Sequence, residues 1–186
     1  MKLPAPRWLM QFVHDREGLA AIEFAILAPV MLLIYFGMTE FSQAYMASRR
    51  ANHMASIAAD LIAQSDTTNL ADLQRAFDIG DLVLKPFDSA PLSIRITSVM
   101  LDKNDRAIVE WSRRDGQGIP ALTKGAIFPN LPPDLITEEG QTLIIGESHY
   151  VYSSEATRII QQDLTFHRRY YLKPRTADKI TCSDCK

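Results

Sequence analysis

A long apolar segment near the N-terminus is the first strong pattern along the chain. From Leu19 to Met38 the only charged residue is Glu23. Because about 20 mostly apolar residues in a helix span a bilayer, we predict a transmembrane helix over residues 19–40. A carboxylate in this position is costly, which makes Glu23 a candidate functional residue, although hydration near the interface is an alternative that lowers its cost. Pro29 lies in mid-span and predicts a helix kink.

The helical pattern continues beyond the apolar segment. Apolar side chains recur at helical intervals from Phe41 to Ile62, and no Gly or Pro interrupts them. Residues 41–64 are therefore predicted to continue the same helix outside the membrane. Small residues line one side, which indicates close packing on a globular domain, although an ordinary amphipathic core helix would show the same pattern; they are Ala51, Ala55, Ala58 and Ala59.

The remainder, residues 65–186, reads as an α+β domain. A polar break precedes Asn69, which is predicted to cap a short helix ending near Gly80. The stretch 115–140 contains four prolines and four glycines, so we predict a loop with one helical turn near Ala121. Residues 155–162 fit either a short helix or a bulged loop. Alternation of apolar and polar residues predicts strands at Leu92–Val99 and Leu164–Leu172. Ala107–Trp111 follows the first of them after a turn-like stretch and is predicted to complete a hairpin, and a further strand is predicted at Thr142–Tyr152.

Composition agrees with one tethered domain and excludes several function classes. The chain has 186 residues and a net charge of −2. Its basic pairs are scattered between acids, so we expect no nucleic-acid binding. No catalytic or phosphate-binding motif is present, and neither an enzyme activity nor a cofactor is expected. Asp102, Asn104 and Asp105 read as a hairpin turn, because the glycine and glutamate of a calcium loop are missing.

The two cysteines, Cys182 and Cys185, leave three interpretations open. Outside the cytoplasm the pair would tend to oxidise to a structural disulfide. A contact between subunits is the second interpretation. Redox or metal chemistry is the third, but a reactive Cys-x-x-Cys needs a following helix and zinc needs further ligands. The histidines that zinc would need are predicted to be isolated from one another: His53, His149 and His167.

The spacing of Gly18, Leu19 and Glu23 resembles the type IV pilin processing site, in which a glycine precedes the cut and a glutamate is the fifth mature residue. The wider run from Gly18 to Tyr45 resembles the TadE-like minor pseudopilins of bacterial tight-adherence pili. The resemblance implies a pilin-like fold, in which a long transmembrane helix continues into a small antiparallel sheet. It also implies that residues 1–18 are a leader removed by a prepilin peptidase.

The resemblance further implies partners and a location. Glu23 would meet the N-terminal amine of a neighbouring subunit. The expected partners are the peptidase, other minor pseudopilins, the major pilin and an inner-membrane assembly platform. We expect a single pass through the bacterial inner membrane, with a cytoplasmic N-terminus and a periplasmic domain. Two alternatives remain open: an uncleaved membrane scaffold of a secretion complex, and a tethered thiol oxidoreductase using Cys182 and Cys185.

Overall fold

The computed structural model describes residues 17–154 and 163–185. Most of the predicted leader, and the segment 155–162, lie outside this described part. Two compact units divide the chain, one ending at Ser42 and the other comprising Gln43–Lys186. The described elements are α1 (Glu17–Ala63), β1 (Thr67–Thr68), α2 (Leu70–Leu84), β2 (Leu92–Leu101), β3 (Ala107–Asp115), β4 (Thr142–Tyr152), β5 (Leu164–Leu172) and β6 (Thr181–Cys182).

The second unit is built on a four-stranded antiparallel sheet with the strand order β3-β2-β4-β5. The predicted α+β fold, a long N-terminal helix followed by an antiparallel sheet, is confirmed. The hairpin strands are longer than predicted, because β2 reaches Leu101 and β3 reaches Asp115. Arg113 and Arg114 interrupt the apolar pattern of β3, so the predicted strand ended too early. Cross-strand pairing nevertheless continues there, with Arg113 opposite Ile96.

Helix α2 begins as predicted but ends later. The Asn69 side chain accepts a hydrogen bond from the Asp72 backbone at 2.9 Å, as an N-cap residue does. The predicted end at Gly80 is wrong, since α2 continues to Leu84. Gly80 instead permits close packing: an added Cβ would lie 3.3 Å from the Met54 methyl group. The last carbonyls of α2 are bound by Arg50, which donates to Val83 O at 3.0 Å.

The outer half of α1 lies directly on the sheet through a row of alanines. Their predicted packing on a globular domain is confirmed, since those from Ala47 to Ala63 are fully buried. Gly146 on β4 makes the approach possible, because an added Cβ would lie 2.5 Å from Ala55 O and 2.7 Å from Ala59 Cβ. Small residues on both surfaces let backbone approach backbone. The buried alanines are Ala44, Ala47, Ala51, Ala55, Ala58, Ala59 and Ala63.

Replacing Gly146 with alanine should therefore destabilise this unit. We expect a loss of about 1–3 kcal/mol in the free energy of unfolding, because neither the α1 backbone nor Ala59 can move aside cheaply. Chemical unfolding of the full chain in mild detergent measures it. Gly37→Ala is the matched control, since an added Cβ at Gly37 meets nothing within 4 Å. Equal stability of the two variants would contradict the proposed close contact.

The opposite face of the sheet is covered by the connection between β3 and β4. The prediction that this stretch is mostly loop is confirmed, but the helical turn near Ala121 is absent. Instead the chain runs along the edge of β3, where Val109 N donates to Ala126 O at 2.9 Å and Phe128 N donates to Ala107 O at 2.8 Å. Prolines in the loop lack the N–H groups that a helix needs. Phe128 and Ile136 complete a second apolar cluster with residues of β2 to β4.

Candidate functional site

The predicted processing residues lie together at the start of α1. Gly18, Leu19 and Glu23 are all exposed, and Leu19 retains 59% of its surface. Leu19 and Glu23 are four residues apart, which places them on the same face of the helix, separated by a rise of about 6 Å. The peptide bond between Gly18 and Leu19 therefore lies little more than one turn before the carboxylate.

The apolar half of α1 buries almost nothing within the chain. The helix is long and apolar enough to cross a membrane, and none of its most apolar 18-residue window is buried. Side chains such as Phe24 (69% exposed) and Leu33 (74% exposed) are left largely uncovered by the described part of the chain. Such continuous exposure is unfavourable in water, whereas lipid or other helices would cover it. The apolar N-terminal helix thus indicates a membrane anchor.

Pro29 lies inside α1, which is helical on both sides of it. Further along the same segment, the hydroxyl groups of Thr39 and Ser42 donate to the backbone carbonyls of Phe36 and Met38, both at 2.8 Å. These bonds satisfy polar side chains locally, as membrane helices require. The kink at Pro29 stays a prediction.

The cysteine pair lies in a docked C-terminal segment. Cys182 and Cys185 form a disulfide, with their Cα atoms 5.4 Å apart. The first cysteine belongs to β6, which pairs in parallel with β1. Asp184, between the cysteines, accepts a hydrogen bond from Leu70 N at 2.8 Å, and so caps the N-terminus of α2 together with Asn69. The disulfide loop thereby holds a helix cap in place.

The chain leading to the disulfide is attached to the core at several points. Ile180 is fully buried, and its carbonyl accepts a hydrogen bond from the Trp111 indole at 2.9 Å. Arg175 N donates to Ala63 O at 2.9 Å, where α1 ends. The sequence contained no signal for β1 or β6, because two-residue strands are too short to show a period.

Removing the disulfide should weaken this unit modestly. For so short a loop, chain entropy gives about 2 kcal/mol in the free energy of unfolding. We expect that loss in the double variant Cys182→Ser/Cys185→Ser, measured by chemical unfolding of the full chain. A reducing agent should destabilise the parent equally and leave the double variant unchanged. A reductant effect on the variant would show that the loss does not come from this bond.

A buried ionic cluster, which the sequence analysis missed, lies on the loop-covered face of the sheet. The Glu147 side chain on β4 is completely buried. It accepts hydrogen bonds from Arg95 Nε at 2.7 Å and from Arg169 Nε at 2.8 Å. Arg95 lies on β2 and Arg169 on β5, so the three residues join three adjacent strands. The negative charge of the buried carboxylate is thus paired with the positive charges of two guanidinium groups.

The two arginines also attach the covering loop. Arg95 Nη1 donates to Pro120 O at 2.6 Å, and the Arg169 guanidinium lies 4.9 Å from the centre of the Phe128 ring. Glu147, the one acidic residue of β4, was the one available sequence signal. Its partners come from other strands, so only the strand register reveals them.

The histidines are less isolated than predicted. His149 and His167 lie directly opposite each other on β4 and β5, which corrects the expectation from their sequence spacing. Burial lowers the pKa of His167, while the nearby Glu147 carboxylate opposes that shift. Within residues 17–154 and 163–185, the one group with metal-ligand proximity is Cys182, Asp184 and Cys185, and the disulfide occupies both sulfur atoms.

The turn between β2 and β3 is satisfied by its own residues. The Asp102 carboxylate accepts hydrogen bonds from Arg106, which lower the pKa of Asp102 to about 2. It also accepts from Asn104 N at 2.9 Å. A carboxylate bound in this way supports the reading of Asp102–Asp105 as a turn.

Comparison with known proteins agrees with the N-terminal site. Residues 18–60 match the model of the TadE-like protein family, a stretch that runs from the candidate processing glycine through most of α1. No curated protein and no solved structure shows significant similarity to the chain. The resemblance predicted from the sequence is confirmed over residues 18–60, which are similar to the TadE-like protein family.

Proposed function

We propose that the chain is a minor pseudopilin that takes part in assembling or initiating a tight-adherence pilus, after a prepilin peptidase cuts between Gly18 and Leu19. One observation carries the proposal: within the family match, a glycine and a glutamate five residues apart lie at the head of an exposed apolar helix. Membrane anchoring alone requires neither residue.

Cleavage at this position would create the partner that Glu23 needs. The new ammonium group at Leu19 would lie on the same helix face as the Glu23 carboxylate, four residues away. In a bundle of parallel helices, the amine of one subunit can then meet the carboxylate of its neighbour. Pairing offsets the cost of burying either charge among apolar helices.

Before incorporation, α1 would hold the subunit in the inner membrane. The N-terminus would be cytoplasmic and the sheet-bearing unit periplasmic, an environment in which the Cys182–Cys185 disulfide persists. The expected partners are other minor pseudopilins, the major pilin and the inner-membrane assembly platform. The sheet-bearing unit would select among them, since the apolar helix offers little to distinguish one subunit from another.

The test is the intact mass and N-terminal sequence of the membrane-extracted protein, from cells with and without the cognate prepilin peptidase. We expect a start at Leu19 with the peptidase and the unprocessed start without it. A bulky replacement of the glycine, Gly18→Phe, should block processing while leaving membrane insertion intact. Retention of the first 18 residues in both strains would overturn the proposal and favour an uncleaved membrane scaffold. Thiol oxidoreductase activity that is lost in Cys182→Ser/Cys185→Ser would favour the tethered thiol oxidoreductase.

A further inference from the structure

Strand β5 forms an open edge of the sheet. In the described part of the chain it pairs with β4 alone, over nine residues and without a register shift. The opposite edge is shielded, because Ala126 and Phe128 bond to the outer side of β3. An unshielded edge presents a row of unpaired N–H and C=O groups, onto which another strand can add.

Three devices that commonly block an edge strand, namely proline, a bulge and short length, are missing from β5. The sequence Leu164–Leu172 contains no proline, no bulge interrupts its pairing, and nine residues are long for an edge strand. It does carry a basic run, His167, Arg168 and Arg169. Like charges would face each other if a second β5 paired with it in antiparallel register, so the charge disfavours a second copy of this chain.

A basic groove runs beside the same edge. It has a volume of about 480 Å³ and lies between α1 and Tyr170 of β5; its other lining residues are Arg49, Arg50, Asn52, His53 and Ser56. Arg50 is bound to the carbonyls that end α2. Arg49 stands 6.0 Å from the Tyr45 ring centre, and neither Arg49 nor His53 forms an ion pair with any described residue. Within residues 17–154 and 163–185, the positive charge of Arg49 in the groove therefore has no carboxylate paired with it.

Arg168 lies on the edge strand β5, on the face of that strand that adjoins the groove. Residues two apart on a strand share a face, so Arg168 projects from the same face of β5 as Tyr170. It too lacks an ion pair among the described residues and is exposed. A strand added to β5 would lie about 4.8 Å away, with alternate side chains on this face. Those side chains would meet Arg168 and the groove.

We propose that β5 receives an extended acidic segment of another protein as a fifth strand, with alternate carboxylates directed to Arg168 and to the groove at Arg49. Backbone hydrogen bonds provide the binding energy, and the carboxylate spacing provides the specificity. The surface belongs to the unit Gln43–Lys186 and requires neither cleavage at Gly18 nor entry into a pilus.

The test uses the full chain in lipid nanodiscs and a short, fluorescently labelled peptide of alternating valine and glutamate. We expect saturable binding, and slower hydrogen exchange at the backbone amides of β5 when the peptide is bound. The double variant Arg49→Glu/Arg168→Glu should bind about tenfold more weakly, since it loses two exposed charge contacts that are each worth a few-fold in affinity. The matched control is Lys103→Glu/Lys124→Glu, which reverses two exposed charges in turns. Its affinity should equal that of the parent.

Four results would overturn the proposal. The first is equal binding of a valine–lysine peptide, and the second is peptide binding that leaves exchange at β5 unchanged. The third is protection of β5 by raised protein concentration alone, which would make a second copy the occupant. The fourth is protection of β5 by anionic-lipid nanodiscs without peptide, which would make the surface a lipid site. A Gly18→Phe chain should bind like the parent, which separates this proposal from the processing proposal.

Discussion

Replacing Glu147 with alanine should lower the free energy of unfolding of the Gln43–Lys186 unit by about 3–5 kcal/mol. The carboxylate is completely buried, and it accepts hydrogen bonds from both Arg95 and Arg169. Its removal leaves two guanidinium groups close together without a counter-charge, at a site where little water can solvate them. The methyl group of alanine also leaves a cavity beneath the loop at Pro120.

Chemical unfolding of the full chain in mild detergent, with exchange of the β4 amides as a second readout, would measure this loss. Glu147→Gln keeps the shape but not the charge, so a smaller loss is expected. Glu139→Ala, at an exposed position of the covering loop, should change stability by less than about 0.5 kcal/mol. If Glu147→Ala unfolded like Glu139→Ala, the ionic cluster would have no structural role.

Replacing Glu23 with alanine should strongly reduce pilus assembly while leaving processing at Gly18 intact. Under the proposed function, the variant leaves the new N-terminal amine without its carboxylate partner among packed helices. An unpaired charge within a membrane-like environment costs about 2.5–3.5 kcal/mol, which corresponds to a loss of roughly a hundredfold in the equilibrium for incorporation. Fewer pili, or pili lacking this subunit, are the expected result.

Pilus counts by electron microscopy, together with detection of the processed subunit in membrane and filament fractions, would test this expectation. Glu23→Asp keeps the charge on a shorter side chain and should restore part of the incorporation. Phe24→Ala is a matched control, since it changes a neighbouring exposed side chain without changing charge. Normal assembly of Glu23→Ala would show that the carboxylate has no role in subunit packing.

Much of the architecture was predictable because its signals are local. The apolar run after Gly18, the alanine row of α1 and the alternation in β2 and β5 each lie within one element, so they can be recognised without knowing any neighbouring element. The end of α2 shows where this logic fails. Gly80 resembles the glycine that commonly ends a helix, but here its lack of a side chain allows close packing against Met54, a residue on another element.

The sequence by itself predicted the long apolar helix, the α+β class and the processing candidates at Gly18, Leu19 and Glu23, since each depends on a pattern within one element or on spacing along one helix. Only the tertiary structure decided which distant residues meet. It placed Glu147 between Arg95 and Arg169, set His149 opposite His167 and docked the disulfide segment on α2; among the described residues it paired β5 with β4 alone. Contacts of this kind depend on strand order and register. Both are set by packing across the whole domain, and no short stretch of sequence encodes them.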